Sequence, residues 1–139
     1  MTTAYIDTSS FLRALLTDAP GHVAAKAVLA DQTIRLVSSK LLAVEADRVA
    51  VRVAAEDPAK AGLGRDVGLG LARIQLAAID NAVIAAARAI PEPIKSLDAI
   101  HVATAAIMAE AIDYAITDDK TMAKALRVRG IAVRGTLER

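Results

Sequence analysis

Cysteine is absent from the 139-residue chain. Disulfides, thiol nucleophiles and cysteine-based zinc sites are excluded together, and the absence fits a reducing compartment. Aromatic side chains are nearly absent too, Tyr5, Phe11 and Tyr114 being the only ones. RRM- and OB-type modules, which stack nucleobases on aromatic platforms, are therefore disfavoured. Charge of one sign is not in excess: the formal net charge is +1, too little for a broad basic field that coats a duplex by releasing counterions. A local basic patch remains compatible with it. No uninterrupted apolar run reaches membrane-spanning length, and no basic-then-apolar leader opens the chain. The expected location is cytoplasmic, with no membrane partner.

What is present is aliphatic. Hydrophobic residues make up 55% of the sequence, so the core is built of Ala, Val, Ile and Leu. A chain of this size suits one domain, expected over residues 1–139, that buries roughly two-thirds of its unfolded surface. "TAYID" (3–7) predicts a strand and "TSSFLRALL" a helix behind it, because Ser and Thr before apolar residues mark helix starts. "HVAAKAVLAD" predicts a second helix, "TIRLVSS" (33–39) a strand, and "KLLAVEADRVAV" (40–51) a helix. "EDPAKAGLGRDVGLG" (56–70) gathers glycines around a proline and predicts a flexible connection within the domain. Beyond it come a short strand at about residues 74–78, the helix "DNAVIAAARAI", a break at "PEP", and a long helix to about Ala111 that Ser96 can cap. "YAIT" (114–117) predicts a strand, "DDKTMAKALRVRG" a helix closed by Gly130, and "IAVRG" a last strand. The alternating strand and helix rhythm gives the fold class: α/β, a single domain with a central, mostly parallel sheet flanked by helices.

Several acids stand at places where capping alone explains them. Asp7 lies between a strand and a helix, Asp98 in the first turn behind Ser96, and Asp118 and Asp119 before the helix that follows "YAIT". Taken together they mean more. Parallel strands put all their C-terminal ends on one edge of the sheet, and ligands bind in the crevice outside that edge. Asp7, Asp98 and Asp119 can converge there.

Glu45 has no capping role, being about two turns into its helix. On a wheel of about 100° per residue it lies about 40° from Leu41 and Val49 and roughly 60° from Leu42, with Arg48 and Arg52 close by. One explanation is an ion pair with Arg48 at the core edge, worth only tenths of a kcal/mol. The other is that this polar stripe lines the acidic crevice. Asp7, Glu45, Asp98 and Asp119 within a few ångströms of one another repel, and a hard divalent cation relieves the repulsion. All-oxygen ligation favours Mg²⁺ or Mn²⁺, and two histidines without cysteine argue against zinc. Such a metal polarises a phosphoryl oxygen and lowers the pKa of a bound water, which is phosphodiesterase chemistry.

"YIDTSSFL" with Asp7, "LLAVEADR" with Glu45, "LDAIHVATA" with Asp98 and "ITDDKTMAKALRVRGIAV" with Asp119 follow one another along nearly the whole chain. In order and spacing the set resembles PIN-domain ribonucleases, most of all the VapC toxins of bacterial toxin–antitoxin pairs. "LDAIHVATA" is the most distinctive piece; "IDTS" or "TDD" alone is weak evidence. The resemblance implies a Mg²⁺- or Mn²⁺-dependent endoribonuclease that leaves 5′-phosphate and 3′-hydroxyl ends. It also implies an RNA substrate, homodimers, a small VapB-like antitoxin that blocks the cleft, and DNA met only through that antitoxin. Asp7, Glu45, Asp98 and Asp119 are then the catalytic, metal-holding acids. Asp7 and Asp98 are the principal ligands, Asp119 is favoured over Asp118 as the acid facing metal, and Glu45 completes the metal site or orients the attacking water. Thr8, Ser9, Thr117 and Asp118 are supporting candidates. Arg13, Arg48 and Arg52 are candidates for neutralising phosphate. His101, in an apolar helix, reads as a hydrogen-bonded structural residue.

Other classes fit less well. A haloacid-dehalogenase-like phosphatase needs a second acid two residues after Asp7, where Ser9 stands. A receiver domain wants paired acids near the first strand, and "GLGRDVGLG" lacks the spacing of a phosphate-cradling loop. The remaining rival is a PIN-fold binding module of weak catalytic power, acting through antitoxin binding and autoregulation of its operon.

Overall fold

The computed structural model describes residues 1–137 and carries five strands, β1 (Thr2–Ile6), β2 (Ile34–Ser39), β3 (Ile74–Ala77), β4 (Tyr114–Ile116) and β5 (Val133–Arg134). Residues 138 and 139 of the expected domain lie outside the described residues. All pairings are parallel, in the order β3-β2-β1-β4-β5. Seven helices surround the sheet: α1 (Thr8–Leu15), α2 (His22–Ala30), α3 (Leu41–Glu56), α4 (Leu63–Leu71), α5 (Asn81–Arg88), α6 (Ser96–Ile107) and α7 (Lys120–Val128). The α/β class and the parallel sheet expected from the sequence are what the structure has.

Two aliphatic cores form because strand side chains alternate between faces. From β1, Ala4 and Ile6 pack with Phe11, Leu42 and Val67 of α1, α3 and α4, while Tyr5 joins Val102 and Leu126 of α6 and α7 on the other face. Leu36 and Val37 of β2 divide in the same way, as do Ile116 and Ala115 of β4. Both faces of the sheet are covered, which is why its strands read as continuous apolar runs. Helix α7 ends where Gly130 takes a φ of 80°, with Ile131 N donating to the Leu126 carbonyl and Gly130 N to that of Arg127. This is the left-handed closure the glycine permits.

Two local expectations are corrected. Residues 56–70 are no flexible connection: a short 3₁₀ turn at Pro58–Lys60 leads into α4. Leu63, Val67 and Gly70 of α4 are buried, so an i, i+4, i+7 stripe meets the core and outweighs the poor helix propensity of glycine. Gly70 belongs to that stripe because a Cβ there would lie 2.9 Å from two carbons of the buried Phe11 ring. At α6, Ser96 is the first helical residue and makes no capping bond; Lys95 holds the cap position and the helix ends at Ile107, before a 3₁₀ turn at Ala109–Ala111.

The segment Pro91–Pro93 that follows α5 is tied to the end of α7 by a two-bond ion pair, Arg129 Nη1 to Glu92 Oε2 at 2.5 Å and Nη2 to Oε1 at 2.9 Å. That pairing holds the Glu92 carboxyl down to about 2.

Gly70→Ala is expected to destabilise the fold by about 1–3 kcal/mol in urea unfolding, the usual cost of overpacking a ring that has nowhere to move. An unchanged urea midpoint would mean that α1 and α4 can separate freely. The Glu92 carboxyl has a depressed folded pKa, so its contribution is present above the ordinary glutamate value of about 4.3 and fades as pH falls toward 2. Glu92→Gln is therefore expected to melt lower than wild type at pH 7 and to converge with it near pH 2. A gap that stays constant with pH would assign the difference to packing alone.

Candidate active site

The site begins where β1 and β4 end side by side. Ile6 pairs with Ile116, and Asp7 N donates to the Ile116 carbonyl. β1 is flanked by β2 on one side and β4 on the other, so the chain winds away from this point in both directions and opens a crevice there. A cavity of about 600 Å³ occupies that crevice. Asp7, Glu45, Asp98 and Asp119 all line it, with Thr8, Ser9, Arg48, Arg52 and His101.

Asp7 is buried and fully engaged. One of its carboxylate oxygens caps α1 by accepting from Ser10 N at 2.8 Å; Thr117 Oγ1 donates to the other at 2.5 Å, and Ser9 Oγ reaches both at 3.2 Å. Asp119 caps α7 through Met122 N at 2.8 Å, and its own N–H donates to Thr117 Oγ1. Thr117 thereby links the two acids. Capping and cleft lining are thus the same placement, since the strands deliver helix N-termini to this edge.

Glu45 projects from the second turn of α3. Burial pushes its carboxyl up, but hydrogen bonds from His101 Nε2 (2.8 Å) and Thr8 Oγ1 (2.6 Å) outweigh this and hold it below its ordinary range. Its partner is His101 and not Arg48. Asp98 behaves oppositely: burial raises it, the neighbouring charges of Asp119 and Glu45 raise it further, and the charge of Lys95 only partly offsets them.

Asp118 and Asp119 part company. Asp118 points away from the cavity and accepts from Thr136 N at 2.7 Å, Leu137 N at 3.0 Å and the Thr136 hydroxyl, with Arg13 Nε at 3.8 Å. Those bonds hold the Asp118 carboxyl below its usual range against the effect of burial. Arg13 also donates to the Pro20 carbonyl at 2.8 Å and does not line the cavity. Arg48 and Arg52 do, both exposed on α3.

The four carboxylates therefore meet in one cavity but not at one point: among the described residues no three His, Asp or Glu side chains stand close enough to hold a metal ion. Their donor chemistry nevertheless fits a hard cation, and a cation would offset the like charges of Asp119 and Glu45 that add to burial in raising Asp98. Sequence reasoning missed the connection from Tyr5 through His101 to Glu45. The signal was available in spacing, since Tyr5 precedes Asp7 by two residues and His101 follows Asp98 by three.

The family model for the PIN domain matches residues 4–127. No curated protein matches the sequence. Among solved structures, the chain is similar to one in VapBC2 from Rickettsia felis bound to a DNA fragment from their promoter, at 12% identity and a TM-score of 0.68, over 96% of this chain and 98% of that one. It is also similar to one in FitAB bound to an IR36 DNA fragment, at 17% identity and a TM-score of 0.65, over 98% of this chain and 96% of that one. At these identities the likeness is one of fold.

The raised Asp98 carboxyl costs the folded state stability once ionised, so stability falls as pH rises from the ordinary aspartate value, about 3.9, through the raised one. Asp98→Asn is expected to melt higher than wild type at pH 7 in chelator-containing buffer, with the gap closing below about pH 4. A lower melting temperature for the variant at pH 7 would show that the carboxylate is not under repulsion.

Proposed function

Since the chain belongs to the PIN-domain family, we propose that it is a Mg²⁺- or Mn²⁺-dependent endoribonuclease, the toxin of a VapBC-type toxin–antitoxin pair. PIN domains are generally nucleases. The observation that carries the reading is the cavity at the sheet edge, which Asp7, Glu45, Asp98 and Asp119 all line together with Arg48 and Arg52.

A divalent metal bound there supplies a Lewis acid that polarises a phosphoryl oxygen and acidifies a bound water. Asp7 is the fixed member of its ligand set, because Thr117, Ser9 and the α1 amide orient both of its oxygens. Asp98 and Asp119 lie toward the open side and would supply further carboxylate ligands, where a cation would offset the like charges that, after burial, raise Asp98. Glu45 remains ionised at the α3 wall, placed to complete the set or to orient water. Arg48 and Arg52 neutralise backbone phosphates of the RNA along the same wall. Thr8, Ser9 and Thr117 orient carboxylates, and Asp118 and Arg13 brace the C-terminal residues outside the cleft.

The partners in this reading are an RNA, a second copy of the chain, and a small VapB-like antitoxin through which promoter DNA is met. Two solved structures of similar fold, VapBC2 and FitAB, both bound to DNA, support the antitoxin and the promoter DNA among these partners. No described helix is long and apolar enough to cross a membrane, in keeping with action in the cytoplasm. A second reading, a binding module of weak catalytic power, is favoured by the spread of the carboxylates, which form no ready-made cation site among the described residues.

Cleavage separates the two. Antitoxin-free protein incubated with total RNA is expected to make discrete cuts bearing 5′-phosphates in Mg²⁺ or Mn²⁺ and none in chelator. Asp98→Asn is expected to cut at least about 100-fold more slowly while staying folded, since even partners one step removed from a metal cost 10- to 100-fold. Metal-independent cutting, or full activity in Asp98→Asn, would remove this mechanism; silence across several RNA pools would favour the binding module.

A further inference from the structure

Glu45 Oε1 has two donors, Thr8 Oγ1 at 2.6 Å and His101 Nε2 at 2.8 Å. An ionised carboxylate only accepts, so the second bond requires hydrogen on Nε2 of His101. The single hydroxyl hydrogen of Thr8 goes to Glu45, and the 3.2 Å approach of Thr8 Oγ1 to the same Nε2 is a weaker share of the ring N–H. With Nε2 protonated, a neutral imidazole offers Nδ1 as an acceptor. The Tyr5 hydroxyl lies 2.7 Å from Nδ1, its ring edge-on to the imidazole. A phenol carries its own O–H, so at this distance Tyr5 donates to the bare Nδ1. Tyr5 and His101 are both buried, and Glu45 is the member of the chain that reaches the cavity.

We propose that Tyr5 and His101 are positioning residues for Glu45: the buried phenol selects the Nε2–H tautomer of His101, and that imidazole fixes the Glu45 carboxylate at the cleft wall. The catalytic consequence rests on the nuclease reading above. The geometry serves that chemistry because the relay begins two residues before Asp7 on β1 and passes through α6 one turn after Asp98. It thus registers α3 against the strand that leads to Asp7 and the helix that carries Asp98. A carboxylate held by fixed donors loses its rotational freedom, which is what orienting a water or a ligand requires.

Two measurements test this. Nitrogen-15 NMR of the imidazole at pH 8, with chelator, is expected to show His101 protonated at Nε2 and bare at Nδ1, and a mixture of tautomers in Tyr5→Phe. A ring protonated at Nδ1, or a Tyr5→Phe spectrum identical to wild type, overturns the proposal. In RNA cleavage, His101→Leu is expected to lower kcat by about 10- to 100-fold with KM nearly unchanged. His101→Gln, whose amide nitrogen can stand where Nε2 stood, is expected to recover much of that loss. Equal loss in both variants, or none in His101→Leu while wild type cleaves, overturns the positioning role. If His101→Leu does not fold, the nearly isosteric Tyr5→Phe carries the kinetic test, and an unchanged kcat overturns the proposal. A wild type that cleaves no RNA while its His101 ring carries Nε2–H refutes the nuclease reading and leaves the anchoring of Glu45 standing.

Discussion

The in-register parallel pairing of β1 with β4 joins two stretches of chain 110 residues apart and sets the Asp7 carboxylate against the Thr117 hydroxyl at 2.5 Å. Everything at the site is referred to that junction. Asp7 caps α1 from it, Asp119 caps α7 two residues beyond it, and the cavity opens above it because the neighbouring strands lead the chain away in opposite directions. Such a pairing is long-range and costly in chain entropy, so it depends on the apolar groups around it. Ala4, Ile6 and Ile116 below the sheet and Tyr5 and Ala115 above it supply that support, each almost wholly removed from water.

The same carboxylates serve folding and chemistry, and the two demands are compatible for a physical reason. A helix N-terminus offers free amides and a positive end of a dipole, and both favour a nearby anion. Placing helices directly after parallel strands therefore concentrates negative side chains at one edge at little cost. The excess charge surfaces at Asp98, which gains no cap bond and feels its neighbours instead. In the proposed nuclease that residual repulsion is the field that draws in a cation.

Much of this was legible in the sequence where a local rule and the tertiary fold agree. "TAYID" and "YAIT" read as strands because a short apolar run is what a strand buried on both faces shows, and Gly130 reads as a helix end because only a glycine takes that backbone conformation without strain. The glycines of residues 56–70 misled because three of them, Gly62, Gly64 and Gly68, face open space, while Leu63, Val67 and Gly70 form a stripe that its packing on the core stabilises as helix. Asp118 and Asp119 are chemically equal in the sequence. Their difference comes from Thr136 and Leu137, distant residues whose amides claim Asp118 and leave Asp119 at the cavity. For Glu45 the helical wheel found the right face but offered Arg48 as partner, because a wheel sees only its own helix and His101 approaches from another.

That partner settles how the acids of the cavity divide. Glu45 and Asp98 share the cavity and are both partly buried, yet the first is shifted down and the second up. Desolvation acts on both alike, so it cannot be the source of the difference. Hydrogen bonds from His101 and Thr8 stabilise the charge on Glu45 locally and make it independent of what enters the cleft. Asp98 has no such bonds: burial and then the like charge of Asp119 raise it, and its state responds to a cation that arrives. Two carboxylates whose environments push them apart are suited to unlike tasks, one a fixed orienting charge and the other a ligand whose ionisation is coupled to binding. In this chain the division is made at Glu45, by the His101 and Thr8 donors that Asp98, one turn from His101 on α6, does not have.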